Sequence, residues 1–128
     1  MNKAIVQRLK ANSRMTWQQI GKQVHLTGQA VAARVLQLEE RGVITGYTIR
    51  QDNLPRHFIT VFMENSSFDE FEAFLNADEQ VEHAYKTTGE GCYHVVFTPF
   101  EAENLELFLN ELLRFGKYKV ASAIRHVK

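Results

Sequence analysis

The sequence predicts an α+β chain, an N-terminal winged helix-turn-helix followed by a ferredoxin-like β-α-β-β-α-β domain. Three observations point there: two helical runs joined by a tight turn between Thr16 and Arg41, a change of apolar period at His57, and a reversal of charge along the chain. Residues 1–50 hold eight Lys and Arg against Glu39 and Glu40, a net +6, while the other 78 residues hold seven against thirteen, a net −6. With 128 residues, 45% of them hydrophobic, the chain can build two small units. They are expected at 1–50 and 57–128, with a linker at 51–56 around Pro55.

The first helix is expected over Lys3 to Ala11, where Ile5, Val6 and Leu9 recur at helical spacing and Asn12-Ser13 ends the run. The second has a marked start. Thr16-Trp17-Gln18-Gln19 has the S/T-x-x-E/Q form of a capping box, with Met15 and Ile20 placed as a hydrophobic staple. Ile20 and Val24 share a face, and Gly21 allows a close approach by a neighbouring helix. Val24-His25-Leu26-Thr27 interrupts this helix, Thr27 caps the next, and Gly42 ends it. Val31, Val35 and Leu38 form its buried stripe and turn Gln29, Ala32, Ala33, Leu36 and Gln37 outward. The β-rich run Val43 to Ile49 reads as a strand or wing.

From His57 the pattern is strand-like to Glu64, and Ser67-Phe68-Asp69-Glu70 reads as a second capping box. The helix it opens turns Phe68, Phe71, Phe74 and Leu75 to a core. Val81 to Thr88 and Cys92 to Thr98 are expected to pair about the turn Gly89-Glu90-Gly91. Pro99 is expected near the start of a helix with its stripe at Leu105, Phe108, Leu109 and Leu112, and Tyr118 to Val127 as the last strand. The strand at His57 is bulky on both faces, with Phe58 and Phe62 on one and Ile59, Val61 and Met63 on the other. Two helices cover one face, so a second copy of the chain is expected on the other, the alternative being that the N-terminal domain folds back over it.

The remaining chemistry is sparse. Cys92 is the only cysteine, which excludes an internal disulfide and suits a reducing compartment. No segment has signal-peptide character or the roughly 18 apolar residues of a membrane span, so a cytoplasmic protein with no membrane partner is expected. His25, His57, His83, His94 and His126 are widely spaced, and no phosphate-binding loop or nucleophile elbow occurs. No metal, cofactor or catalytic set is therefore expected.

The second long helix suits a major groove about 12 Å wide, where Thr27 and Gln29 can reach phosphate or base edges and Ala32 and Ala33 allow close approach. Gln29 can bond adenine bidentately. Arg34 lies on the flank of the buried stripe and reads as a phosphate or packing residue, while Arg14, Lys22 and Arg41 are candidate backbone clamps.

The run Thr16-x-x-Gln-Ile-Gly-x-x-Val-His-Leu-Thr27, with Val31-x-x-Arg34-Val35-x-x-Leu38-Glu39-x-x-Gly42-Val43-Ile44-x-Gly46-Tyr47, resembles the DNA-binding domain of Lrp/AsnC transcriptional regulators. The segment behind it, with Thr88 to Tyr93 at the central hairpin, is similar to that family's effector and oligomerisation domain. The resemblance implies a double-stranded DNA partner, a homodimer assembling into octamers or similar discs, and an amino-acid effector. The candidate DNA contacts are Arg14, Thr16, Lys22, Thr27, Gln29, Ala33, Arg34, Gln37 and Arg41; the candidate effector residues are Gly89, Glu90, Gly91 and Cys92. The chain departs from the family at His25, where Gly is usual, at Leu36, where a basic residue is common, and at Gly89-Glu90-Gly91-Cys92, where the family pattern is Gly-Asp-Tyr-Asp. Two alternatives share the two-domain plan: a sirohaem-decarboxylase-like enzyme using His83 or His94, and a small-molecule sensor that no longer binds DNA.

Overall fold

The computed structural model describes residues 2–128, which divide into two compact units on either side of the Arg50–Gln51 bond. The first holds α1 (Asn2–Ala11), α2 (Trp17–Val24) and α3 (Gly28–Glu40). Ile5, Leu9, Ile20, Val24, Val31 and Val35 form its buried core, with Ala4, Met15, Leu26 and Ile44 packed on the edge. The spacing of these positions is the helical stripe read from the sequence. The Thr16 box is complete: the Gln19 N–H donates to the Thr16 hydroxyl at 3.1 Å, and the Thr16 N–H donates to Gln19 Oε1 at 2.9 Å.

The turn between α2 and α3 rests on two residues. His25 caps α2 in the left-handed region, φ 61° and ψ 44°, where only Gly is free of a Cβ penalty. Its N–H and that of Leu26 both reach the Gly21 carbonyl. A Cβ on Gly21 would run into the backbone carbonyl of Leu26, so the group that requires glycine there is the turn itself rather than a separate helix.

The expected wing does not form. Val43 and Ile44 bend back so that both N–H groups donate to the Leu38 carbonyl, and residues 45–50 follow without a ladder partner, with Val43, Tyr47 and Ile49 exposed. Strand propensity supplies residues suited to a sheet but no second strand, so the head is a helix-turn-helix without a paired wing.

The second unit is β1 (His57–Met63), α4 (Phe68–Ala77), β2 (Val81–Lys86), β3 (Tyr93–Phe97), α5 (Asn104–Leu112) and β4 (Gly116–Ser122). The four strands form one antiparallel sheet in the order β2-β3-β1-β4. Ile59 and Val61 of β1, Tyr93, Val95 and Phe97 of β3, Phe71 and Leu75 of α4, and Phe108 and Leu112 of α5 close a single core with Phe115. Phe97 stacks on Phe108 with ring centroids 4.2 Å apart, and Phe71 meets Tyr93 edge-on at 4.9 Å. Both helices therefore cover one face. The alternate residues Phe58, Thr60 and Phe62 lie on the other face, level with Val96 and His94 of β3 and with Ala121, Lys119 and Lys117 of β4.

Three features differ from the sequence expectation. Ser67 stands at the N-cap but makes no side-chain cap, its ψ of 49° lying outside the extended conformation that Thr16 and Thr27 adopt, and its N–H donates to Asn65 Oδ1 at 2.9 Å. Helix α5 begins at Asn104 rather than near Pro99, because the Gln80 side chain holds the intervening loop, accepting from the Phe100 N–H at 3.0 Å and from Asn104 Nδ2 at 2.8 Å. Strand β4 ends at Ser122, opposite His57 where β1 begins, so residues beyond it have no strand to pair with.

Relieving the left-handed strain at the turn should stabilise the head. Replacement of His25 by Gly is expected to raise its unfolding free energy by about 1 kcal/mol, read from the helical circular dichroism signal in a urea titration. A loss of stability would mean that the imidazole makes a contact worth more than the strain.

Candidate nucleic-acid interface

The two helices of the turn meet at their N-termini. A Cβ on Gly28 would lie 3.3 Å from the Gln18 nitrogen and 3.6 Å from the Trp17 carbonyl carbon, so the first turns of α2 and α3 are in direct contact. Neither first turn contains an acidic residue, whereas α4 carries Asp69 and Glu70 and α5 carries Glu106 there. Two positive helix ends with free N–H groups and no carboxylate nearby suit phosphate oxygens.

Around these ends stand Thr16 and Thr27. Each hydroxyl accepts a backbone N–H, from Gln19 and from Ala30, both at 3.1 Å, and keeps its own proton for an outside acceptor. Along α3, Gln29, Ala33 and Gln37 form an exposed line at four-residue spacing, opposite buried Val31, Val35 and Leu38. Lys22 projects into solvent from α2 and Arg14 from the loop before it; among the described residues neither they nor Arg41 has an ion-pair partner.

Two of the candidate residues stand apart from this cluster. Arg34 is half-buried and its guanidinium donates to Asn2 Oδ1 at 3.3 Å, tying α3 to the start of α1, as the packing alternative implied. Arg41 caps the far end of α3, about 20 Å along the axis from Thr27 at 1.5 Å per residue. Trp17, 41% exposed at the head of α2, was missed. Its signal in the sequence was a large aromatic lying outside the Ile20–Val24 stripe.

The hairpin residues Gly89 to Cys92 have mainly structural contacts. Gly89 and Gly91 take positive φ, 86° and 81°, and a Cβ on Gly91 would meet the Thr60 side chain and the Val61 carbonyl. The Cys92 N–H donates to that same carbonyl at 2.7 Å, while its side chain is half-buried against the core. Glu90 is exposed and paired with Lys119, which holds its carboxyl below the usual carboxylate range. None of the four lines the cleft of about 280 Å³ between α4 and β2, whose walls include Glu72, Asn76, Glu82, His83, Lys86 and Tyr93. There the Tyr93 hydroxyl donates to Glu72 at 2.6 Å, and Lys86 sits 4.3 Å from the Phe68 ring centroid. Burial, and then the Glu72 hydrogen bond, push the Tyr93 hydroxyl well above its ordinary pKa. His83 and His94 do not converge on a common partner: His83 stacks on Tyr85 and His94 on Phe58. Among the described residues no cluster of His, Cys, Asp and Glu could hold a metal, and no helix is long and apolar enough to cross a membrane.

Tyr93→Phe keeps the ring and removes the bond to Glu72, so it should lower stability by about 1 kcal/mol at neutral pH. Because folding raises the Tyr93 pKa, its contribution is complete below the ordinary value near 10 and is lost as pH climbs above it. Thermal melts from pH 8 to 11 should therefore fall less steeply in the variant than in the parent; parallel curves would refute this.

With this geometry in view, comparison with known proteins is informative. Residues 1–39 match the model of the AsnC-type helix-turn-helix domain, and residues 56–128 match that of the Lrp/AsnC ligand binding domain. The chain is 33% identical to the HTH-type transcriptional regulator LrpB of Bacillus subtilis, over 97% of this chain and 87% of that protein. It is equally identical to LrpA of the same organism, over 97% and 96%. Among solved structures, Bacillus subtilis LrpC superposes with a TM-score of 0.85 at 23% identity, covering 99% of this chain and 94% of that one, a likeness of fold. The feast or famine regulatory protein of Mycobacterium tuberculosis, complexed with L-methionine, superposes with a TM-score of 0.84 at 26% identity, covering 98% and 91%.

Proposed function

The chain belongs to the Lrp/AsnC family of DNA-binding transcriptional regulators, and we propose that it reads DNA with the N-terminal half of α3, as a two-fold homodimer joined through the open face of its sheet. The family consists of regulators and not enzymes, which sets aside the decarboxylase alternative. The observation that carries the reading surface is the contact between two acid-free helix N-termini beside Gln29. Phosphates would sit at those ends with Thr16, Thr27, Lys22 and Arg14, and that register would bring Gln29, Ala33 and Gln37 to base edges. Arg41 would meet the backbone at the other end of the helix, and Arg34 would serve by holding α3 to α1.

Half-buried Phe58 and Phe62 support the dimer, since the core that α4 and α5 close lies on the opposite face of the sheet. Residues 45–50, exposed, β-rich in sequence and without a ladder partner, support it too, as a segment suited to pairing with its own copy. The two recognition helices would then enter major grooves about 34 Å apart, or a multiple of that, with dimers assembling further. An amino-acid effector bound between subunits near Gly89 to Cys92 completes the reading; the matched ligand-binding model and the methionine-bound neighbour support that class of ligand. The setting is the cytoplasm, where a bacterial-type regulator meets its DNA.

Gln29→Ala should cost about 1–3 kcal/mol at a selected operator and little on random DNA. Lys22→Ala should weaken both alike and reduce the salt slope of binding by about 1. Equal losses on both DNAs for Gln29→Ala would remove it from the base readers. The dimer has its own test: sedimentation of the full chain should give at least a dimer, and Phe58→Asp with Phe62→Asp a monomer. A parent protein that sediments as a monomer at micromolar concentration would defeat the symmetric model.

A further inference from the structure

We infer that Arg56 is a positioning residue, clamping residues 51–56 onto the C-terminal unit and so fixing the point from which each DNA-reading head departs. The inference rests on the two-headed reading above. Arg56 Nε and Nη2 bind the two carboxylate oxygens of Glu82 at 2.7 and 3.1 Å, and Nη2 also donates to the Gln51 carbonyl at 2.6 Å. One guanidinium thus joins the start of the segment, its end and strand β2. A lysine, with a single compact ammonium, has no such fork.

The surroundings reinforce the clamp. Glu82 sits where the β2–β3 register shifts between Val81 and His83, so a bulge takes it out of the ladder and frees its side chain to face Arg56. The pair is 18% and 33% exposed, against 71% and 64% for Lys119 and Glu90, so solvent screens it less than an ordinary surface pair. The Arg56 carbonyl accepts the Ala123 N–H at 2.9 Å, and His126 approaches Asp52 at 3.8 Å, so the C-terminal residues bracket the same segment. Residues 51–56 are therefore docked, and the free tether is confined to residues before Gln51.

Length decides what this does. Six residues released and extended span up to about 20 Å at 3.3–3.6 Å each, and what exceeds their docked span is added reach. Half a turn of DNA is about 17 Å. Undocking would give each head enough slack to serve half-sites on opposite sides of the duplex, so the clamp makes the protein sensitive to half-site phase. Glu82 also lines the α4–β2 cleft, which puts the clamp's acceptor within reach of anything bound there.

The test uses full-length protein and duplexes carrying two copies of a half-site recovered from a random pool, either in phase or offset by about five base pairs. The parent should prefer the in-phase duplex on the order of tenfold. Arg56→Ala and Glu82→Gln should each reduce that preference to about twofold, with affinity for a single half-site and the sedimenting mass unchanged. Arg56→Lys, which keeps the charge but cannot bind both Glu82 oxygens and the Gln51 carbonyl at once, should lose it as well, which a role resting on charge alone would not do. Variants that keep the parental preference would overturn the clamp alone. A parent indifferent to phase would overturn the two-headed reading, and the clamp with it.

Discussion

Strand β1 hydrogen-bonds along both edges, to β3 and to β4, and carries bulky side chains on both faces. A strand so placed must be covered twice. Ile59 and Val61 are covered within the chain, by the aromatic layer that α4 and α5 bring down with Phe71, Phe108 and Phe115. Phe58 and Phe62 lie on the other face, and a second copy placed there would bring the proposed two-fold axis and the pairing of heads that a symmetric operator requires. The hydrophobic content of one strand thereby reaches the level of DNA recognition.

The head follows a different economy, in which local geometry does the work of a large core. Its few buried residues suffice because capping and the turn fix the helices: Thr16 and Thr27 satisfy N-terminal donors, and Gly21 admits the Leu26 carbonyl. The same devices bring two helix ends side by side without a carboxylate, so what stabilises the turn also prepares the anion-binding surface.

Features decided by neighbours in sequence were legible beforehand. The Thr16–Gln19 box, the Thr27 cap, the left-handed His25 and the Val31–Val35–Leu38 stripe each depend on residues within one or two turns, and all stand where the spacing put them. Features decided at a distance were not. The Val43–Ile49 run had strand chemistry but needed a partner; Ser67 stands at its helix end without the backbone conformation a cap needs; the helix expected near Pro99 was delayed by Gln80, about twenty residues earlier. The exposed side of α3 was legible, because helical period sorts inside from outside. The contacts of Arg34 and Arg56 were not, since their partners Asn2 and Glu82 are 32 and 26 residues away.

The register of β4 has a consequence for how the protein comes into being. His57 pairs with Ser122, so the central strand lacks one of its two edge partners until β4 has been synthesised, 65 residues after β1 begins. The head, whose contacts are local, can fold long before that. A chain interrupted before β4 would thus carry a finished helix-turn-helix beside an open strand edge, a form prone to aggregation. The strand that comes last in the sheet is the one that buries that edge.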